Sequence, residues 1–242
     1  MVRKDLTARV NAIKSTAEVI AQTLKEMIYE AELKPGQPLV QETIAGMFHV
    51  SRIPVRDALQ ILIKMGIAVN LPRRGVIVRP FSRQMLEELF EVRKILEGSA
   101  VRMAARRITP DMLRNLRGLI EEQAECLKAV DVKRQEKLDD LFHRTLYGAV
   151  GNDTLNELIF ANWERIKQAR CASTADPEHG RLWIAESIKR HKNIFDALSN
   201  GDAERTYLAV VKGIESSKEE ITVCLEQMGW IESGPDNGKE PS

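Results

Sequence analysis

The chain has 242 residues, 43% hydrophobic and 29% charged, a balance expected of a soluble globular protein of one large domain or two ordinary ones. Its longest apolar runs, such as Leu59 to Ile63, are broken within a few residues by Gln or Lys, and none approaches the roughly 20 residues of a membrane span. The net charge of +1 conceals an asymmetry: residues 1–80 carry 12 Lys and Arg against 7 Asp and Glu, and the rest 24 against 28, so a polyanionic partner suits the first third only.

In chain order, the spacing of Val19, Ile20, Leu24, Met27, Ile28 and Ala31 predicts a helix from about Thr16, as N-cap, to Leu33, with Glu18 in its first turn and Pro35-Gly36 ending it. A short helix over Gln41 to Phe48 is expected to bury Ile44, Ala45 and Phe48. The turn His49-Val50-Ser51 leads to a third helix that runs to about Met65, with Ser51 as N-cap and Pro54 tolerated in the first turn. Gly66 stops it. The β-branched stretches Ile67 to Leu71 and Val76 to Val78 flank Pro72-Arg73-Arg74-Gly75 and read as a hairpin with a basic tip.

From Ser82 the pattern is helical, with segments at about 83–106, 110–130, 133–150, 153–173, 182–199 and 202–228. Thr109-Pro110, Gly151-Asn152-Asp153 and Asn200-Gly201-Asp202 punctuate them. Met103, Leu113, Leu116, Leu119, Ile120, Leu127, Leu138, Phe142, Leu146 and Leu155 are the expected core. The fold class that follows is mainly α: an N-terminal winged helix-turn-helix over 1–80, an all-α helical bundle over 81–230, and a Gly-, Pro- and Ser-rich tail over 231–242 expected to be disordered. The start Met1-Val2-Arg3-Lys4-Asp5-Leu6 lacks the apolar stretch of a secretory signal. Cys126, Cys171 and Cys224, odd in number and without C-x-x-C spacing, fit buried free thiols in a reduced, cytoplasmic protein.

A short helix, a tight turn, a longer helix and a basic hairpin make a winged helix-turn-helix, whose second helix lies in the major groove. With Val55, Ala58, Leu59, Leu62 and Ile63 turned inward, Arg52, Ile53, Arg56 and Gln60 share the opposite face. Arginine grips guanine O6 and N7 with two bonds. Ser51 and the amides at the helix start suit a phosphate, and Arg73, Arg74 and Gly75 on the wing suit phosphate or the minor groove. The bland alternative is a solvated basic face.

These residues carry a family resemblance. Leu33-Lys34-Pro35-Gly36-Gln37-Pro38-Leu39, then Phe48-His49-Val50-Ser51-Arg52-Ile53-Pro54-Val55-Arg56-Asp57-Ala58-Leu59, then Arg73-Arg74-Gly75-Val76-Ile77-Val78 resemble the DNA-binding domain of the GntR family of bacterial regulators over about residues 15–80. The resemblance implies operator contacts from Arg52, Arg56 and the wing glycine region. His49 stands where the family usually has glycine. If that position needs a positive φ, His tolerates it better than a β-branched residue does.

In the helical part, Asp139 and His143 are four residues apart and share a helix face bordered by Leu138, Phe142 and Leu146. His191 lies on a later helix, and facing helices can build a metal site in a bundle. By spacing alone such a pair is more often a surface or core neighbourhood. Arg93-Lys94-Ile95-Leu96-Glu97, Asp139-Asp140-Leu141-Phe142-His143, His191 to Leu198 and Gly201-Asp202-Ala203-Glu204 resemble the FCD ligand-binding domain of the FadR subfamily. That resemblance implies a divalent ion held by an Asp and three His. Asp139, His143 and His191 match three ligands, and the fourth position falls on Gly213, which cannot ligate. Three protein ligands can still hold zinc or a similar borderline ion, leaving an open position.

The resemblance further implies a small organic acid or sugar acid as effector, with Arg93 as a carboxylate partner. The alternative for Arg93 is an i,i+4 salt bridge to Glu97. Asn152 and Arg165 are weaker effector candidates, more often a cap and a surface group. Trp163 and Trp183 read as core or cavity wall, and His179 as a loop residue. A homodimer repressing transcription from a palindromic operator is the expected whole. A metal-dependent hydrolase using the Asp/His cluster, and a nucleoid-type protein binding DNA without sequence choice, are the competing readings.

Overall fold

Ser15 opens the first helix: its hydroxyl accepts from the Glu18 amide while the Glu18 carboxylate accepts from the Ser15 amide, closing a reciprocal cap. The N-cap is therefore Ser15 and not Thr16. The computed structural model describes residues 15–174 and 176–231. The expected tail lies outside these, apart from Ile231, which is buried in the core. The described chain divides into two compact units between Pro80 and Phe81.

In the first unit, α1 (Thr16–Tyr29) packs its buried Ile20, Leu24 and Ile28 against α3 (Arg52–Lys64), whose Val55, Ala58, Leu59 and Leu62 are almost fully buried. Val19, expected in the stripe, is exposed. The helix stops before Leu33 because Ala31 turns to a left-handed φ of 59° and the amides of Glu32 and Leu33 fold back onto the Met27 carbonyl. Helix α2 (Gln41–Phe48) buries Ile44 and Ala45, with Phe48 only half-buried. It ends at His49, whose φ of 53° makes it the left-handed C-cap. A conformation that favours glycine is here adopted by an imidazole side chain standing in solvent.

Strands β1 (Ala68–Leu71) and β2 (Gly75–Val78) pair antiparallel, Leu71 facing Gly75. On the far side of β2, Leu39 and Gly36 donate to the Val76 and Val78 carbonyls and Val78 donates to Gln37. The Lys34-to-Leu39 segment thereby anchors the wing to the helices. The wing turn takes Arg73 to φ 63° and Gly75 to φ 72°.

The second unit holds α4 (Arg83–Ala104), α5 (Pro110–Ala129), α6 (Val132–Gly148), α7 (Asp153–Ser173), α8 (Pro177–Ser199) and α9 (Ala203–Gln227). Thr109, Asn152, Asp176 and Asp202 cap four of them with side-chain oxygens. Helix α8 starts five residues earlier than expected. Asp176 accepts from the Glu178 and His179 amides and Pro177 sits at N1, so His179 is helical rather than in a loop.

Helix α4 packs along α9 and against α7, while α5 lies on α6 and α8. Phe90, Leu116, Phe142, Leu146, Tyr147, Ile159 and Leu225 fill the centre. Met103, expected in the core, is exposed. Gly98 brings α4 close to α9: a Cβ there would stand 2.7 Å from the Tyr207 ring. Cys126, Cys171 and Cys224 are buried free thiols.

Candidate functional sites

The exposed face of α3 carries Arg52, Ile53, Arg56 and Gln60. Ile53 is 64% exposed. Arg52 Nη1 lies 2.5 Å from Glu42 of α2, and Arg56 is 3.6 Å from Asp57. Both pairs stand in solvent, where they are weak and exchangeable. Ser51 precedes the helix in extended geometry but its side chain caps nothing. Ser51 is exposed, and an uncapped helix start of this kind suits a phosphate. Arg73, Arg74 and Gly75 are all exposed at the wing tip.

In the second unit Asp139, His143 and His191 converge and are all buried, with one ligand atom from each lying within 4.8 Å of the others. The i,i+4 pair on α6 meets α8 across Phe142, which stacks on the His191 ring at 3.9 Å. The two imidazoles point Nε2 to Nε2 at 3.2 Å. His191 Nδ1 lies 2.7 Å from Gln123 Oε1. A carbonyl oxygen only accepts, so Nδ1 carries the proton and Nε2 presents its lone pair. Asp139 Oδ1 accepts from Ser187 Oγ at 3.0 Å and lies 3.5 Å from His191 Nε2. Its Oδ2 accepts from Arg170 at 3.0 Å. Gln135 in turn donates to Ser187. His143 Nδ1 is buried without a hydrogen-bond partner.

These groups are tuned by their surroundings. Burial drives the His191 imidazole down to about 4, against the opposing pull of Asp139. Burial likewise pushes His143 well below the ordinary imidazole value. Burial works against the Asp139 charge, but the Arg170 guanidinium, the neighbouring imidazoles and the Ser187 hydroxyl together outweigh it and hold the carboxyl below the usual range. At neutral pH the cluster is one carboxylate and two neutral imidazoles, the protonation state a metal ion requires.

The donor set also fits an ion. Two imidazole nitrogens on one tetrahedral zinc stand roughly 3.3 Å apart, close to the 3.2 Å seen here. Gln123 supplies the partner that orients a ligating imidazole. Gly213, from α9, lines the same cavity but offers no ligand.

Around the cluster lies a cavity of about 50 Å³, bordered also by Arg93, Glu97, Trp163, Lys167, Trp183 and Arg190. Arg170 borders it too, so four cationic side chains line it against two carboxylates, and Arg190 finds its partner beyond the lining, in Glu220. Arg93 lines the cavity, yet it is also committed to Glu97 through Nε at 2.6 Å and Nη2 at 3.3 Å. Glu97, only 1% exposed, further accepts from Tyr147 and Trp163, both at 2.7 Å. Asn152 does not join the site: it is the exposed N-cap of α7, accepting from the Leu155 amide. Arg165 is half-buried and is not among the residues bordering the cavity. The network residues Gln123, Gln135, Arg170 and Ser187 were not singled out from sequence. Gln123, Gln135 and Ser187 carry a signal there, as polar positions inside otherwise apolar helix stripes.

Comparison with known proteins agrees with this division. The family described as "Bacterial regulatory proteins, gntR family" matches residues 16–78, and the FCD domain matches residues 88–215. The Nta operon transcriptional regulator of Aminobacter aminovorans is 33% identical over 144 residues, 60% of this chain and 68% of that protein. The HTH-type transcriptional repressor RspR of Escherichia coli is 24% identical over 92% of this chain and 96% of its own length. The gluconate operon transcriptional repressor of Bacillus subtilis is 28% identical over 64% of this chain and 63% of that protein. Among solved structures, E. coli McbR/YncC superposes with a TM-score of 0.69 at 23% identity, covering 89% of this chain and all of that one. A GntR regulator from Rhodococcus sp. RHA1 gives 0.70 at 23% identity, covering 87% and 99%. The chain belongs to the GntR family, with a winged helix-turn-helix followed by an FCD domain, and is a DNA-binding transcriptional regulator with an effector-binding helical domain.

Proposed function

We propose that the protein is a cytoplasmic, homodimeric repressor whose hold on a palindromic operator is set by a small organic acid bound in the Asp139–His143–His191 cavity. The observation that carries the sensing half is the gathering of the Arg93, Arg170 and Arg190 guanidinium groups around a small cavity: a carboxylate suits them, and a volume of about 50 Å³ has room for only a few water-sized groups. The name of the gluconate operon repressor also points to an acid, although a molecule as large as gluconate would place only its carboxylate end in this volume. On this reading Asp139, His143 and His191 would hold a zinc-like ion, which would supply a Lewis-acid partner for the effector's carboxylate. The residues themselves orient the His191 imidazole through Gln123 and fix the Asp139 carboxylate through Ser187 and Arg170.

Binding rather than hydrolysis is the favoured use of the cluster. Asp139 is engaged by Arg170 and Ser187, and Glu97 by Arg93, Tyr147 and Trp163, so both cavity carboxylates are tied up by donors instead of free to act as a base. Two half-sites read by two recognition helices require a dimer. Effector and operator then influence each other reciprocally.

Selection of bound duplexes from a random library, followed by footprinting, tests the proposal. The expected outcome is an enriched palindrome, bound less tightly as salt rises and lost in Arg52→Ala and Arg56→Ala. Enrichment of no sequence would favour a non-specific DNA binder and sink the operator reading.

A further inference from the structure

Residue 213 lies inside α9, where glycine is a poor helix former, and its backbone is not in the left-handed region. What it supplies is room. A Cβ on Gly213 would stand 3.3, 3.6 and 3.8 Å from Cδ, Cγ and Cβ of Arg190 on α8. The Arg190 stem thus fills the space a side chain would take, and both residues border the cavity. Arg190 Nη1 donates to Glu220 Oε1 at 2.6 Å, and Ser216 Oγ donates to the same oxygen at 2.9 Å.

Three arginine–carboxylate pairs border or reach this cavity, and they are not equivalent. The carboxylates of Arg93–Glu97 and Arg170–Asp139 are 1% and 7% exposed, and each is held by further buried donors. Glu220 is 34% exposed while its partner Arg190 is 15% exposed. Of the three carboxylates, Glu220 is the one that can leave its arginine and be rehydrated without stranding a buried charge.

We propose that Arg190 is the residue that grips the effector's carboxylate, and that the effector binds by taking the place of Glu220 on it. The proposal rests on the organic-acid reading above and assigns its recognition group. One carboxylate replaces another on a guanidinium, which offers paired N–H donors in a planar fork. Charge pairing in the cavity is conserved. Because Arg190 belongs to α8 and Glu220 and Ser216 to α9, the exchange also unties an ion pair between these helices, giving occupancy a structural outlet.

The test is calorimetric titration of the full chain, zinc-loaded and EDTA-treated, with acetate, L-lactate, succinate and D-gluconate. The panel acid that binds most tightly should bind Glu220→Gln about fivefold tighter, because the internal competitor is gone. It should bind Arg190→Gln about tenfold more weakly or worse, with Arg190→Lys in between. Zinc affinity of the variants should stay within about threefold of the parent, which confirms an intact fold and cluster. Equal binding of the acid by all four proteins overturns the role of Arg190 and leaves the sensing cavity standing. Binding of no panel acid by any of them overturns both the proposal and the organic-acid reading beneath it.

Discussion

Acidification should unsettle the helical domain through His191 before it protonates the carboxylate beside it. The folded protein holds this imidazole at about 4, whereas an unfolded chain titrates it near its ordinary value of about 6.5. Between these values the unfolded state binds more protons, so stability is fully present above about pH 6.5 and is lost as pH falls toward 4. At pH 5 the difference amounts to about 2 kcal/mol relative to pH 7.5 for this residue alone. That corresponds to a melting point lower by roughly 4–8 °C for a domain of this size. His143 acts in the same direction. Asp139, held below the usual range, stays ionised throughout the window. The assay is thermal unfolding followed by circular dichroism in EDTA at pH 7.5 and 5.0, for the parent chain and for His191→Gln. The variant should start less stable but lose about 2 kcal/mol less on acidification. Equal losses in the two proteins would refute a neutral, buried His191.

Three further outcomes are expected. Gln123→Leu removes the acceptor that fixes the His191 tautomer and should weaken zinc binding by about 10–100-fold, read by competition with a chromophoric chelator; unchanged affinity would mean that Gln123 does not orient the ligand. Gly98→Ala forces a methyl against a Tyr207 ring that Arg102 covers at 3.4 Å; the overpacking should cost about 1–3 kcal/mol in urea denaturation, and a neutral result would show that the α4–α9 contact yields freely. Glu42→Gln frees Arg52 from its solvent-exposed partner and should tighten operator binding by up to about fivefold in fluorescence anisotropy. Weaker binding would show that Glu42 positions Arg52 rather than competing for it.

The winged helix was readable because each of its parts has local chemistry. The inward period of Val55, Ala58, Leu59 and Leu62 left one face for Arg52, Ile53, Arg56 and Gln60, and the structure exposes all four. The left-handed cap at His49 was anticipated for the same kind of reason. Helix starts were legible where a capping oxygen precedes proline, as at Thr109-Pro110. The same signal at Asp176-Pro177 was hidden by the polar stretch to Gly180, which reads as a loop although Gly180 is buried.

The cavity was legible only in outline. Asp139 and His143 share a face by period, but nothing local says that Arg170 from α7 reaches Asp139, because that meeting is created by helix packing. Gln123 and Ser187 are different. Each interrupts an apolar stripe, Leu116-Ile120-Gln123-Leu127 and Ile184-Ser187-Ile188, and a buried polar side chain must find a partner. Asn152 takes the cap role that its place after Gly151 suggests, its oxygen accepting from the Leu155 amide at the start of α7.

The tryptophans give the sensing domain an optical consequence. Of the chain's three, Trp163 and Trp183 border the cavity, whereas Trp230 stacks on Phe81. The Trp163 indole donates to Glu97 and meets the His143 ring edge-on at 4.6 Å, and Trp183 lies 5.1 Å from the Arg170 guanidinium. Any ligand that rearranges those charges alters the field on two of the three emitting rings. Unlabelled protein therefore carries its own emission reporter, and a library of acids can be screened on it without DNA, dye or a known operator.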